Sequence, residues 1–164
     1  MAIEIERKFR VTSDAWRAAA GSRTLLRQGY LANTARASIR VRLSDREQAW
    51  LSVKAVTPGL SRAEYEVPIA AADAREMLER LCEGGLIEKW RHLVHYQGHE
   101  WEVDEFLGEN AGLVIAELEL ASEDAEFARP RWLGAEVTHD ERYYNMRLSH
   151  RPFRHWPENL LAAP

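Results

Sequence analysis

Eight segments of this chain read as strands, most of them alternating apolar and polar residues with a period of two, and that periodicity admits strands and little else. They cover residues 2–11, 24–32, 37–43, 49–56, 61–69, 86–96, 99–107 and 113–121. In "ASIRVRL" Ile39, Val41 and Leu43 stand against Arg40 and Arg42; in "SRAEYEVPI" Ala63, Tyr65 and Val67 stand against Arg62, Glu64 and Glu66. Thr57-Pro58-Gly59 and Gln97-Gly98 supply turn chemistry between neighbours. Helical signals interrupt the strands. Residues 13–20 start at Ser13 or Asp14 as N-cap. Residues 72–85 carry Ala74, Met77, Leu78 and Leu81 at helical spacing and close at Gly84-Gly85, read as a C-cap. Residues 132–148 read as helical or irregular, and the proline-containing tail 151–164 as one short helix near its end. Many antiparallel strands with few helices predict a mainly β fold of the α+β kind, a closed barrel or a sandwich. Closure removes the exposed edges that eight strands otherwise leave.

The polar faces are sorted by charge. In chain order they carry Glu4, Glu6 and Lys8; Arg40 and Arg42; Lys54; Arg62, Glu64 and Glu66; Lys89 and Arg91; Glu100, Glu102 and Asp104; Glu117 and Glu119. Like charges side by side on one sheet face repel unless a facing wall or a ligand neutralises them. Basic pairs suit an anion and acidic pairs a cation, so one site holding both suits a polyanion carried with its metal. Arginine grips phosphate oxygens bidentately, and hard cations take carboxylate oxygens while sharing substrate phosphates.

The chain's 164 residues fit one domain, 1–164. Its net charge of −4, with 22 basic and 26 acidic residues, argues against a nucleic-acid partner. Cys82, the lone cysteine, permits no internal disulfide and fits a reducing compartment as a small core residue. There is no signal-peptide pattern and no apolar run of about 18 residues, so no membrane partner and a cytoplasmic location are expected. No histidine pair shows ligand spacing.

"EIERK" at 4–8 matches the E-x-E-x-K signature of the CYTH superfamily, the triphosphate tunnel metalloenzymes, and resembles short bacterial inorganic triphosphatases. The rest follows in family order: "RQGYL" (27–31), "IRVRL" (39–43), "LSVK" (51–54), "SRAEYEVP" (61–68), "KWR" (89–91), "EVDEF" (102–106), "AELEL" (116–120) and the closing "EVTHDERYYN" (136–145). The resemblance implies an eight-stranded antiparallel β-barrel tunnel with polar faces inward and helices outside, and it implies a homodimer. It implies phosphate-binding roles for Lys8, Arg40, Arg42, Lys54, Lys89, Arg91 and Arg142. Metal ligands or their supporting carboxylates would be Glu4, Glu6, Glu64, Glu66, Asp104, Glu117 and Glu119. The metal would be Mg²⁺ or Mn²⁺. One departure is Glu141, where the family often has Lys before the arginine of the closing segment.

The activity this implies is hydrolysis of inorganic tripolyphosphate to diphosphate and phosphate, with Glu4, Glu6, Lys8, Tyr30, Glu117 and Glu119 as catalytic residues. The Tyr30 hydroxyl would reach substrate or order a water, or its ring would simply pack at a strand end. Phe153 and Trp156 in the tail would cover one tunnel mouth, pack on the exterior or meet a second subunit. Rival readings are a class IV adenylyl cyclase making cyclic AMP from ATP, a thiamine triphosphatase stacking thiazolium on Trp50, Trp90 or Trp101, and a non-catalytic polyphosphate-binding module.

Overall fold

The computed structural model of the chain describes residues 2–56 and 61–157. Its strands are β1 (Ala2–Val11), β2 (Ala20–Asn33), β3 (Ala37–Ser44), β4 (Ala49–Ala55), β5 (Ser61–Ile69), β6 (Glu83–Tyr96), β7 (His99–Phe106), β8 (Val114–Glu119) and β9 (Leu133–Glu136). Two α-helices, α1 (Ala71–Arg80) and α2 (Asn145–His150), accompany them. The strand order is β5-β4-β3-β2-β6-β7-β8-β1, and β1 closes the ring on β5 with Ala2 opposite Glu64 and Ile5 opposite Ser61. Every pairing is antiparallel, so the fold is the expected closed eight-stranded barrel.

β9 is an addition that the alternation did not announce. Among the described residues β1 pairs with β5 through residues 2–5, and from Phe9 onward it pairs with β9, Phe9 lying opposite Glu136. Between these stretches Lys8 donates its backbone N–H to Thr138 Oγ1 (3.0 Å) and accepts from the Val137 N–H (2.8 Å). The segment after β9 thereby seals the seam between β1 and β5.

Alternation sends one face of each strand outward, and those faces need cover. Phe9, Trp101, Val103 and Leu118 are buried beneath Trp16, on a 3₁₀ turn at Asp14–Ala19, and Trp132. Val41, Leu43 and Ala49 are buried beneath Ala74 and Leu78 of α1. Burying one such side chain contributes about 1.5–3 kcal/mol. The outer face of β5 stays bare, with Tyr65 and Val67 exposed beside Ile3 of β1.

A third cluster lies on the inner face. Cross-strand partners share a face, and Lys89 faces Phe106 while Asp104 faces Ile115. Toward this end the inward residues become Ile87, Phe106, Leu113 and Ile115, and they bury Val137, Tyr143, Leu148, Phe153 and Trp156 of the C-terminal segment. Phe153 and Trp156 thus belong to an apolar plug.

Two expectations are corrected. Gly84-Gly85 is not a helix cap: α1 ends at Arg80, and both glycines lie in β6. Gly84 has φ +73°, and a Cβ there would stand 3.1 Å from the Ser149 carbonyl oxygen and 3.2 Å from the His150 ring. The requirement for glycine comes from α2, packed across the start of β6. The stretch 132–148 resolves into β9, a 3₁₀ turn at Glu141–Tyr143 and the start of α2. The turn at Thr57–Gly59 and the helix expected near the end of the tail lie outside the described residues. Cys82 is half-buried, its Sγ 3.4 Å from the Met77 carbonyl oxygen. Among the described residues no helix is long and apolar enough to cross a membrane.

Candidate active site

A cavity of about 1080 Å³ occupies the barrel. Its lining includes Gly98 and His99 where β6 turns into β7, and Ala55 and Val56 at the end of β4. The strand order makes β4 and β6 antiparallel, which puts those two groups at opposite ends. The cavity therefore extends lengthwise inside the barrel, where the tunnel is expected.

The alternation aims the predicted polar faces into it. Glu4, Glu6, Lys8, Tyr30, Arg40, Arg42, Lys54, Glu64, Glu66, Arg91, Glu117 and Glu119 all line the tunnel. Three selected residues do not. Lys89 and Asp104 are on the inner face but sealed off from the cavity as an ion pair beside the apolar plug, at 1% and 0% exposure. Arg142 points away from the tunnel, bonded to Asp140 (Nη2–Oδ2 2.5 Å) with its guanidinium 5.8 Å from the Trp156 ring. The lining brings in cations that were not selected, Arg62 and Arg147. Arg62 was visible on the same alternating face as Glu64 and Glu66. Arg147 comes from α2, where no period-two signal points inward.

Most of the charges inside are already paired, and the strand register explains how. Lys8 lies opposite Glu117 on the neighbouring strand, and its Nζ sits 2.5 Å from that carboxylate and 3.5 Å from Glu6. Arg91 lies opposite Asp104, bonds it twice at 2.7 Å, reaches Glu117 at 2.9 Å and also pairs with Glu102. Lys54 bonds Glu4 at 2.5 Å, Arg40 meets Glu64 at 3.5 Å, and Arg42 meets Glu66 at 3.2 Å. The Ser52 hydroxyl donates to Glu66 at 2.8 Å.

Ionisation follows from this wiring. Burial pushes the Glu117 carboxyl up, but Lys8, Lys89 and Arg91 overcome it and hold it well below the usual carboxylate range. Asp104 is likewise held low by Arg91 and Lys89 against its burial. Burial disfavours the Lys8 ammonium, yet Glu117 and Glu6 hold its pKa above the usual lysine value. Glu6 goes the other way. Burial, then the neighbouring Glu117, raises its pKa to about 7. Burial, then Arg40 and Arg91, lowers the pKa of Arg42, so the cationic wall repels itself.

The described lining holds nine carboxylates and seven Lys or Arg side chains. That surplus of negative charge favours a polyanion that carries a cation with it. The donor set fits a hard divalent ion: Glu6 lies opposite Glu119 in the register, Glu4 is two residues along the same face, and Glu117 is two residues from Glu119. The raised Glu6 marks where positive charge is wanted, because a metal can take the place of the proton. Among the described residues no three such side chains already converge as a metal site; Lys54 and Lys8 hold Glu4 and Glu117 instead.

Residues 2–146 match the CYTH domain. The chain belongs to the CYTH family. It is 48% identical over 158 residues to the inorganic triphosphatase of Acetivibrio thermocellus, covering 96% of this chain and all of that one. It is 39% identical over 149 residues to the inorganic triphosphatase of Nitrosomonas europaea, covering 89% and 96%. Among solved CYTH-like structures, the crystal structure of the inorganic triphosphatase NE1496 superposes with a TM-score of 0.65 at 35% identity, over 91% of this chain and 95% of that one. A Hippeastrum protein described as an adenylyl cyclase with a dominant triphosphatase activity shares the fold, with a TM-score of 0.59 at 18% identity over 73% of this chain and 80% of that one.

Proposed function

We propose that this CYTH protein is a metal-dependent inorganic triphosphatase that hydrolyses tripolyphosphate to diphosphate and phosphate in its tunnel. The observation that carries the reading is a cationic wall and a surplus of carboxylates facing one cavity. The names of the Acetivibrio and Nitrosomonas relatives point to the same activity.

In this reading Lys8, Arg40, Arg42, Lys54 and Arg91 bind the phosphate oxygens and offset charge gathering on the leaving diphosphate. Mg²⁺ or Mn²⁺ would be held by Glu4, Glu6, Glu117 and Glu119, with Glu64 and Glu66 nearby. When bound, the metal supplies Lewis acidity to substrate oxygens and lowers the pKa of coordinated water. Water adds to a terminal phosphorus, the bridging P–O bond breaks, and a tunnel carboxylate accepts the water's proton. Phosphoryl transfer needs positioning and charge stabilisation more than covalent chemistry, so this reading requires no nucleophilic Ser, Cys or His. Tyr30 is among the lining residues, and in this reading its hydroxyl orients substrate or water. Asp104, held in turn by Lys89, fixes Arg91 from the plug side of the cavity. The departure at Glu141 has a local counterpart: Glu141 pairs with Arg147 at 2.7 Å, and both line the tunnel.

A stacking platform for thiazolium is not supplied by the tryptophans. Trp101 is fully buried in the outer cluster, Trp90 stacks with Arg23, and neither they nor Trp50 lines the tunnel. The free thiol of Cys82 fits a reducing cytoplasm. A homodimer would have the bare Ile3–Tyr65–Val67 face to bury.

The test is product analysis with tripolyphosphate, ATP and thiamine triphosphate side by side in Mg²⁺ or Mn²⁺. Diphosphate and phosphate released in equal amounts, fastest from tripolyphosphate, is the expected result. Cyclic AMP as the main product from ATP would replace the reading with the cyclase.

A further inference from the structure

Arg62 stands apart from the other cations of the tunnel. Lys8, Arg40, Arg42, Lys54, Arg91 and Arg147 each hold a carboxylate in an ion pair. Among the described Lys and Arg side chains that line the cavity, Arg62 has no such partner. The register makes this unexpected, because Arg62 lies directly opposite Glu4. Glu4 is taken by Lys54 at 2.5 Å. Arg62 instead rests on Tyr144, with its Nη2 3.3 Å from the phenolic oxygen and its guanidinium carbon 5.1 Å from the ring centroid. The Tyr144 hydroxyl donates to the Thr138 carbonyl at 3.0 Å, which turns its lone pair toward the Arg62 donor. The guanidinium is thus oriented by a neutral group and spends none of its charge.

This difference decides how much each cation gains from an incoming phosphate. A cation already paired must share or exchange its carboxylate, so its net gain is the difference between two attractions. Arg62 loses no ion pair, and a guanidinium fork matches two phosphate oxygens. Its position adds a direction: it is the second residue of β5, at the tunnel end where Val56 follows β4 and where Asn145–Arg147 of α2 line the wall.

We propose that Arg62, oriented by Tyr144, binds the terminal phosphate of the substrate at this end of the tunnel and so makes the site selective for three phosphates over two. The assignment rests on the tripolyphosphate reading, with Arg62 as a substrate-binding residue and Tyr144 as the residue that positions it.

The experiment is calorimetric titration of the wild-type chain, Arg62→Met and Arg62→Lys with tripolyphosphate and with diphosphate, in EDTA, alongside initial rates in Mg²⁺. The expected result is a loss of about tenfold or more in tripolyphosphate affinity for Arg62→Met, as for removal of a charge-assisted contact. Arg62→Lys recovers part of it, keeping the charge without the fork. Diphosphate affinity changes far less, and in Mg²⁺ the KM rises while kcat holds. Wild-type affinity for tripolyphosphate in Arg62→Met overturns the proposal, as does an equal loss for both ligands in Arg62→Met and Arg62→Lys. A wild-type chain that binds tripolyphosphate through Arg62 but does not cleave it would contradict the hydrolase reading and leave the Arg62 assignment standing.

Discussion

Two groups of charges share this tunnel and are built on opposite plans. Around Arg91 the charges are matched: Asp104, Glu102 and Glu117 surround the guanidinium, Lys89 completes Asp104, and Lys8 completes Glu117. Around Glu6 and Arg62 the match is looser: Glu6 shares Lys8 with Glu117, at 3.5 Å against 2.5 Å, and is pushed up to about 7, while Arg62 has a tyrosine where an acid would be expected. In the matched group Asp104 and Glu117 are held low by their cations, although burial shifts Lys89 down and Glu102 up, and the pairs tie strands β6, β7, β8 and β1 together. In the proposed reading both groups supply site residues, and the loosely matched one gains most from a cation and a phosphate.

The largest effect should come from breaking the matched group. Asp104→Ala leaves Lys89 and Arg91 buried without their shared acid, and removing one member of a buried ion pair costs about 3–5 kcal/mol. Urea denaturation should show that loss; a midpoint equal to wild type would mean that Lys89 and Arg91 are satisfied in another way.

Next comes Glu6→Gln, which should separate stability from turnover. Metal affinity or turnover should fall about 10–100-fold, the range for disturbing a metal's support. Stability should move the other way at neutral pH. The folded-state pKa of Glu6, about 7, lies above its ordinary value of 4.5. The proton it keeps therefore favours the folded chain fully below pH 4.5, and that contribution is lost as pH rises through 7. In EDTA the melting temperature of the wild type should decline across this window, and Glu6→Gln should flatten the decline. Parallel curves for the two proteins would place the titration elsewhere.

The smallest effect sharpens the boundary of the site. Arg142→Ala removes a solvent-exposed pair with Asp140 outside the tunnel. It should change stability by no more than about 0.5 kcal/mol and leave kcat/KM unchanged, which steady-state kinetics will check. A large rise in KM would bring Arg142 into the site.

Much of this was legible in the chain because a strand's period is set by covalent geometry. Ile39-Arg40-Val41-Arg42-Leu43 had to divide its side chains between two faces, and the inward set is the charged one. What escaped depends on contacts far along the chain. β9 is four residues, "LGAE", with no alternation of its own, and it is a strand because β1 offers a free edge beyond Phe9. Gly84 reads locally as a helix end, yet the constraint on it comes from Ser149 and His150. Arg142 and Arg147 are five residues apart in a stretch without regular period, and only the packing of Tyr143 and Leu148 into the plug decides which arginine faces the tunnel. Arg62 was on the right face from the start, but its lack of an acid partner appears only when Glu4 is seen bonded to Lys54.

The central claim is tested most directly by the initial rate of phosphate release from tripolyphosphate as Mg²⁺ is titrated into the metal-free wild-type chain. The account predicts no release in EDTA and a rate that rises with Mg²⁺ to saturation, as the carboxylate surplus takes up its cation. Release that is equally fast in EDTA, or absent at every Mg²⁺ and Mn²⁺ concentration while tripolyphosphate binds, would contradict it.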